Sequence, residues 1–338
     1  MNIKKTAKFS LAEFPTPVHH LKTFSERFEG LEVFMKRDDL TSLGMGGNKT
    51  RKLEFLVGQA LEQGKDTLVT AGGLQSNHCR LTAAAARRAG LSCHLVLNGD
   101  EPRVPNGNLL LDRLLGAKIH YCQRKDRDEC LHRVGQDLSE AGRHPYIIPV
   151  GGSNSVGSTG YVHAMMELME QLDRDKILLD AIVFASSSGG TQAGLTLGAR
   201  AAGFKGRVLG ISIDQVKTGK GAFPPVLARI ANETAQRLDL PIRLKEDDFD
   251  LDCSFLGTGY AMPESLEFEA IKTLAMDEGI ILGPVYTARA MGAMMDLMAK
   301  GIFPKGQNIL FWHTGGAPEV FAWAGWFKTG FLGGADSL

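Results

Sequence analysis

The chain has 338 residues, 43% of them hydrophobic, which is enough for about two domains with substantial cores. Lys plus Arg and Asp plus Glu are both 38, so the formal net charge is zero, and the absence of a basic excess argues against a nucleic-acid partner. Nine histidines without an HExxH and five cysteines without a CxxC pair set aside a metal centre and a disulfide framework.

The odd, scattered thiols (Cys79, Cys93, Cys122, Cys130 and Cys253) fit a reducing, cytoplasmic compartment. No membrane association is expected: even the apolar run 309–327 carries His313 and Glu319. The basic clusters at Arg87-Arg88 and 217–220 read as solvated surface.

In chain order, the apolar run 67–71 leads into an Ala-rich helical stretch at 76–89 and a second run at 92–97. Further short apolar runs follow at 118–121, 146–150, 181–185, 208–213 and 308–312, each separated from the next by a helix-length segment. That alternation predicts an α/β fold with crossover helices and a largely parallel sheet. Forty glycines suit its many tight turns. Spacing alone places a domain junction near 151–154. Met291, Met294, Met295 and Met298 have helical spacing and are expected in the core. Cys79, opening the Ala-rich helix, is expected to be a buried small residue, and Trp312, Trp323 and Trp326 to pack internally or against a neighbouring subunit.

Three loops carry chemistry. In Gly46-Gly47-Asn48-Lys49-Thr50-Arg51-Lys52 two glycines turn the chain into a helix whose first turn is crowded by Lys49, Arg51 and Lys52. Cations there oppose the helix macrodipole, and a bound phosphate would relieve the conflict. A solvated basic helix start fits this segment alone equally well. Ser186-Ser187-Ser188-Gly189-Gly190-Thr191 follows the run 181–185 and opens a helix, forming an anion cradle of small residues. It is neither a Walker A loop nor GxGxxG. Gly72-Gly73-Leu74-Gln75-Ser76-Asn77-His78 is the third, with side chains able to bind a carboxylate or simply to cap a helix. Such loops lie at the carboxyl ends of parallel strands, where these folds bind ligands.

Together these segments resemble the fold-type II pyridoxal 5′-phosphate (PLP) enzymes, within them the 1-aminocyclopropane-1-carboxylate (ACC) deaminase and D-cysteine desulfhydrase family. The resemblance runs over Phe14-Pro15-Thr16-Pro17, Lys36-Arg37-Asp38-Asp39, GGNKTRKLEFL at 46–56, QSNH at 75–78 and GGSN at 151–154. It continues through SSSGGTQAG at 186–194, Gly259-Tyr260, GPVYT at 283–287 and HTGGAP at 313–318. It implies a tryptophan synthase β-like architecture of two open, twisted, largely parallel sheets flanked by helices. In that division 1–50 and 161–338 form a large PLP-binding domain, and 51–160 a small inserted α/β domain.

By the same resemblance Lys49 matches the Schiff-base lysine, with Asn48 and Lys52 as cofactor contacts and Ser187, Ser188, Gly189, Gly190 and Thr191 as the phosphate loop. Asn77 matches the residue beside the cofactor ring, Ser76 and His78 the substrate-carboxylate pocket, and Tyr260 and Tyr286 the tyrosines near the substrate. Catalytic roles fall to Lys49, Ser76, Tyr260 and Tyr286. Thr287 matches the position facing the pyridine nitrogen. The ACC deaminase pattern carries an acid there, which keeps the ring strongly electron-withdrawing. A neutral Thr287 suits β-elimination of a good leaving group, so the resemblance points to D-cysteine desulfhydrase, releasing sulfide, pyruvate and ammonia.

ACC deaminase, L-cysteate sulfo-lyase and an amino-acid racemase are the alternatives. A homodimer is implied. The sequence departs from the desulfhydrase pattern at Gly283, where Asp is usual, at Ala261, Met262, Pro263 and Glu264, where Gly-Val-Pro-Asn is usual, and at 188–191, where Ser-Ala-Gly-Thr is usual.

Overall fold

The computed structural model describes residues 5–213, 217–218 and 221–330; the side chains of the basic 217–220 segment lie outside the described residues. The strands are β1 (Val18–His20), β2 (Glu32–Arg37), β3 (Thr67–Gly73), β4 (Ser92–Asn98), β5 (Lys118–Cys122), β6 (Pro145–Ile147), β7 (Ala181–Ser186), β8 (Arg207–Ser212), β9 (Lys217–Thr218), β10 (Gly221–Ala222), β11 (Asp250–Asp252) and β12 (Asn308–His313). The α-helices are α1 (Lys22–Ser25), α2 (Lys49–Glu62), α3 (Asn77–Arg88), α4 (Gly107–Leu114), α5 (Arg127–Glu140), α6 (Ser155–Asp175), α7 (Gly190–Ala202), α8 (Phe223–Arg237), α9 (Ser265–Glu278), α10 (Thr287–Ala299), α11 (Glu319–Ala322) and α12 (Ala324–Gly330).

Two larger sheets organise them, beside a two-stranded antiparallel β9/β10 ladder. One has six strands in the order β1-β2-β12-β7-β8-β11, the other four in the order β5-β4-β3-β6. Apart from the antiparallel β1/β2 pair, their ladders are parallel. The four-stranded sheet is drawn from residues 67–147, and the six-stranded sheet from segments on both sides of it in the chain.

The central strands β3, β4, β7 and β12 are largely apolar because both faces are covered, and the period of two decides which helix each residue meets. In β7 and β12, Val183, Ile309 and Phe311 pack with Met291, Met294 and Met298 of α10. Ile182, Phe184, Leu310 and Trp312 point the other way, toward Tyr161, Met165 and Leu168 of α6 and Leu195 of α7. In the smaller sheet Leu68, Cys93 and Leu95 meet Leu53, Leu56, Cys79 and Leu81 from α2 and α3. Val69, Ala71 and Val96 meet Cys130, Leu131 and Val134 of α5.

Five strands were not legible from apolar runs: β1, β2, β11 and the two-residue β9 and β10. Strand β2 lies inside the six-stranded sheet but reads Glu-Val-Phe-Met-Lys-Arg. Its Lys36 is fully buried, and its ammonium donates to Thr16 O (2.7 Å), Gln171 and Glu167, so tertiary partners replace the apolar signal. The run expected at 146–150 ends at Ile147, since Pro149 has no N–H for a ladder and β6 is an edge strand. The 3-10 turn Val150–Gly152 follows it.

Candidate active site

The loops at the carboxyl ends of β3, β7 and β12 converge on the start of α2. Gly46 adopts φ 74° with its α-carbon so close to Asp39 that a Cβ would lie 1.9 Å from the Asp39 carbonyl oxygen. Glycine is required there. Gly47 N–H donates to Thr41 Oγ1 (2.8 Å) and Asn48 N–H to Thr314 O (3.0 Å), which pins the entry to α2 against the end of β12.

On an α-helix, Lys52 lies about 60° from Lys49 and Arg51 about 200° away. The structure therefore corrects the expectation that all three cations face one anion. Arg51 turns away and donates to Asp38 Oδ1 (2.8 Å) and Oδ2 (2.9 Å) and to Glu167 Oε2 (2.9 Å). Lys49 and Lys52 remain on the site face. Burial lowers the Lys49 ammonium to about 8, and burial followed by repulsion from Lys49 holds Lys52 well below the ordinary lysine value.

Lys52 Nζ is fully buried and donates to Gly151 O (3.1 Å) and Ser153 Oγ (3.3 Å), both uncharged. It also stands at the N-terminus of α7: a Cβ on Gly190 would lie 2.9 Å from Lys52 Nζ and 2.8 Å from Ser153 Oγ. A buried ammonium against the positive end of a helix dipole, with a second lysine beside it, needs an anion. Ser153 is the hub of this cradle. Its hydroxyl pairs with Ser188 Oγ (2.8 Å) and accepts from Gly190 N–H (3.1 Å). Thr191 Oγ1 accepts from Asn48 Nδ2 (3.2 Å), Gly189 caps α7 at φ 89°, and Ser187 precedes Ser188 in the same loop. The donor set fits a phosphate with an amine-reactive group reaching Lys49.

On the β3 side, Ser76 caps α3 and accepts from Cys79 N–H (3.2 Å). His78 is buried. Thr70 donates its hydroxyl proton to Ile148 O (2.9 Å), so His78 Nε2–H donates to Thr70 Oγ1 (2.9 Å) and Nδ1 is left as an unpartnered acceptor. Burial first, then Lys49 and Lys52, keep this ring neutral well below the usual histidine range. Among the described residues Ser76 and His78 share no hydrogen bond. Asn77 accepts from Asn108 Nδ2 (2.9 Å) and donates to Glu319, which its own loop gives no hint of.

Tyr260 and Tyr286 hydrogen-bond through their hydroxyls, with rings at 6.0 Å and 66°. Arg124, from the segment after β5, lies over the Tyr260 ring at 5.4 Å, linking the smaller sheet to the tyrosine pair. Thr287 is fully buried; its hydroxyl accepts from Gly283 N–H (2.7 Å) and stands 3.2 Å from Gly315 O. The departures are accommodated locally. Gly283 packs directly on Gly316. Ala261 takes φ 59°, where the usual residue is Gly, and Glu264 forms a capping box with Glu267 at the start of α9. Arg289 of α10 is buried, pairs with Glu267, and donates to Leu256 O, to Gly259 O (3.3 Å) and to Met262 O (3.0 Å), bracketing Tyr260.

The structure thus gathers Asn48, Lys49, Lys52, Ser188, Gly189, Gly190 and Thr191 into one cradle. Asn77 lies on the β3 side, and the tyrosine pair stands with Arg124. Ser153, Glu319, Arg289, Arg124 and Thr314 were not singled out from sequence. Ser153 and Thr314 could have been, since they lie within the GGSN and HTGGAP segments; the others are joined to the site only by long-range contacts.

A family model described as pyridoxal-phosphate dependent enzyme matches residues 9–315. D-cysteine desulfhydrase of Serratia proteamaculans (strain 568) is 39% identical over 328 residues, covering 93% of this chain and 97% of that protein. The D-cysteine desulfhydrase of Klebsiella pneumoniae (strain 342) is 38% identical, covering 95% and 98%. Among solved structures, an ACC deaminase homologue superposes with a TM-score of 0.88 at 35% identity over 96% of both chains. A T.th. threonine deaminase shares the fold, with a TM-score of 0.65 at 18% identity over 89% of this chain and 92% of that one.

Proposed function

On the premise that this chain belongs to the pyridoxal-phosphate dependent enzymes, we propose that it converts D-cysteine and water into pyruvate, hydrogen sulfide and ammonia. The observation that carries this reading is the likeness to D-cysteine desulfhydrases along almost the whole chain. The neutral Thr287 hydroxyl at the position after Tyr286 agrees with it.

PLP fits the site: Lys52, Ser188, Gly189, Gly190 and Thr191 would hold its phosphate, Lys49 Nζ its carbonyl carbon, and Asn77 its ring edge. When bound, it supplies an electron sink for the substrate α-carbon. Lys49, lowered to about 8 by burial, can take the Cα proton at Nζ near neutral pH. The Asn77 loop and the N-terminus of α3, capped by Ser76, supply donors for the substrate carboxylate. The tyrosine hydroxyls, joined to each other, would supply a proton to the departing thiolate. Arg289 holds the Tyr260 segment in place through backbone carbonyls.

The same reading includes the division into a large domain (1–50 and 161–338) and an inserted one (51–160), assembly as a homodimer and a cytoplasmic location. Five free thiols support that location. In addition, no described helix is long and apolar enough to cross a membrane.

The test is pyruvate release by the PLP-loaded protein from D-cysteine, L-cysteine and L-cysteate, with 2-oxobutyrate followed from ACC. Turnover of D-cysteine with stoichiometric sulfide, lost in Lys49→Ala, is expected. Turnover of ACC or L-cysteate with none of D-cysteine would overturn the substrate and keep the cofactor chemistry. Sulfide release at the parental rate by Lys49→Ala would overturn the mechanism.

A further inference from the structure

Glu319 is the first residue of α11, just beyond the HTGGAP segment, and is 0% exposed. One carboxyl oxygen accepts from Asn77 Nδ2 and the other from Val285 N–H (3.4 Å). Asn77 opens α3 behind the smaller sheet, whereas Val285 precedes Tyr286 in the turn that leads to α10. One side chain therefore ties the ring-facing amide to the backbone that carries a substrate-side tyrosine. On its other edge the Asn77 amide accepts from Asn108 Nδ2, so its two ends are assigned: the oxygen faces Asn108 and the nitrogen faces Glu319.

We propose that Glu319 is a positioning residue for the reaction. Acting through Asn77 and the Val285–Tyr286 backbone, it holds the cofactor-facing loop and the tyrosine pair in register with each other. This deepens the functional reading above and rests on it for the identity of the reaction.

The electrostatics make the tie sensitive to pH. Burial raises the Glu319 carboxyl to about 8, against the hydrogen bonds from Val285 and Asn77 and the charge of Arg80. The charged groups that face it, among the described residues, are Arg80 from α3 and, coupled to that guanidinium through its charge without a hydrogen bond, Asp112 from α4, itself raised to about 8 by burial. The turn at 283–287 offers it a backbone N–H. Both Glu319 oxygens face donors, an arrangement that the carboxylate satisfies fully and the protonated acid less well. The tie therefore tightens as pH rises through about 8.

The experiment compares parent, Glu319→Gln and Asp112→Asn as PLP-loaded proteins. The long-wavelength absorbance of bound PLP is titrated with pH, and kcat and KM for D-cysteine are measured alongside. Gln has the shape of Glu but turns an NH2 toward one of two donors, so it keeps one hydrogen bond. The expected result is an inflection near pH 8 in the parent and in Asp112→Asn that Glu319→Gln shifts by about a unit or abolishes. A kcat lower by about tenfold and a KM within about twofold should accompany it. A merely structural carboxyl would leave the titration unchanged. Parental titration and kcat in Glu319→Gln overturn the proposal, as does loss of the inflection in Asp112→Asn instead.

Should Glu319→Gln not fold, Glu319→Asp carries the same readouts. Its shorter carboxylate reaches one partner, and parental behaviour there is equally decisive against the role. The absorbance titration needs no substrate. If the parent ignores D-cysteine but titrates as stated, the substrate assignment falls and the positioning role stands.

Discussion

Asp38 is the place where one substitution should report both on the fold and on the entry to the site. Its carboxylate is 0% exposed and accepts five hydrogen bonds: from Thr16 Oγ1 (2.9 Å), Arg51 Nη2 (2.8 Å), Arg51 Nε (2.9 Å), Tyr161 OH (2.8 Å) and Trp312 Nε1 (2.8 Å). Burial alone would raise its pKa, yet Arg51 and Lys36 hold it below the ordinary aspartate value. Its backbone carbonyl accepts from Gly47 N–H, two residues before Lys49.

In Asp38→Asn an amide nitrogen replaces one oxygen. If it replaces Oδ2, it faces the donors Arg51 Nε, Tyr161 OH and Trp312 Nε1; if Oδ1, it faces Arg51 Nη2 and Thr16. Breaking a buried, hydrogen-bonded ion pair in this way costs about 3–5 kcal/mol. At about 2.1 cal/mol/K of unfolding entropy per residue, a 338-residue chain has roughly 0.7 kcal/mol/K, so the loss corresponds to a Tm lower by about 4–7 °C. Scanning calorimetry of the PLP-loaded protein measures the Tm, and a PLP titration monitors the Lys49 loop, where affinity should also fall. A Tm within about 1 °C of the parent would refute the reading of Asp38 as the anchor.

Lys52→Met should move two quantities in opposite directions. Without PLP the variant gains stability, because a buried ammonium with uncharged partners is removed; PLP affinity should drop about 10- to 100-fold, as one charge-assisted contact to phosphate is lost. Thermal melts with and without PLP check both signs. Arg289→Met releases the carbonyls of Leu256, Gly259 and Met262 and removes the ion-pair partner of Glu267, which keeps its bond from Glu264 N–H, so KM for the substrate should rise several-fold with little change in PLP affinity.

The contribution of two buried carboxyls to stability should fall as pH rises from about 5 to about 8, against the opposite contribution of the buried histidines His78 and His313, whose folded-state values are lowered by burial. Glu319 and Asp112 both have folded-state values raised to about 8, so the folded protein holds protons that the unfolded chain releases. Their stabilisation is present at low pH and lost as pH climbs through that window. The rise from 4.5 to about 8 at Glu319 is worth up to roughly 5 kcal/mol. Relative to the parent, Glu319→Gln should remove its own share of that fall from the urea-unfolding free energies across the interval, Asp112 keeping the other, and an unchanged slope would count against the assignment.

Much of this protein is readable from its sequence alone, where the physics is local. Alternating apolar runs and helix-length segments implied a parallel α/β fold, because strands covered on both faces read as short apolar runs wherever no distant partner satisfies a buried charge. Gly-rich turns after 67–71 and 181–185 marked two loops at strand ends, since turn chemistry depends on the residues in the turn. The crowding of Lys49, Arg51 and Lys52 at a helix start suggested an anion as readily as a solvated basic turn, and the order of motifs is what matched Lys49 to the Schiff-base position.

What tertiary structure alone decided is where the charged side chains go. Arg51 shares a helix turn with Lys49 yet pairs with Asp38 and Glu167, the latter 116 residues away. Lys36 lies buried within a strand because Glu167 and Gln171 meet it there. Ser153, Arg289 and Glu319 reach the site through partners on other elements; Glu319, for one, meets Asn77 across 242 residues of chain. A buried ion or hydrogen bond is stable only against a specific partner at about 3 Å, and no propensity or period in a single sequence encodes which distant residue that is.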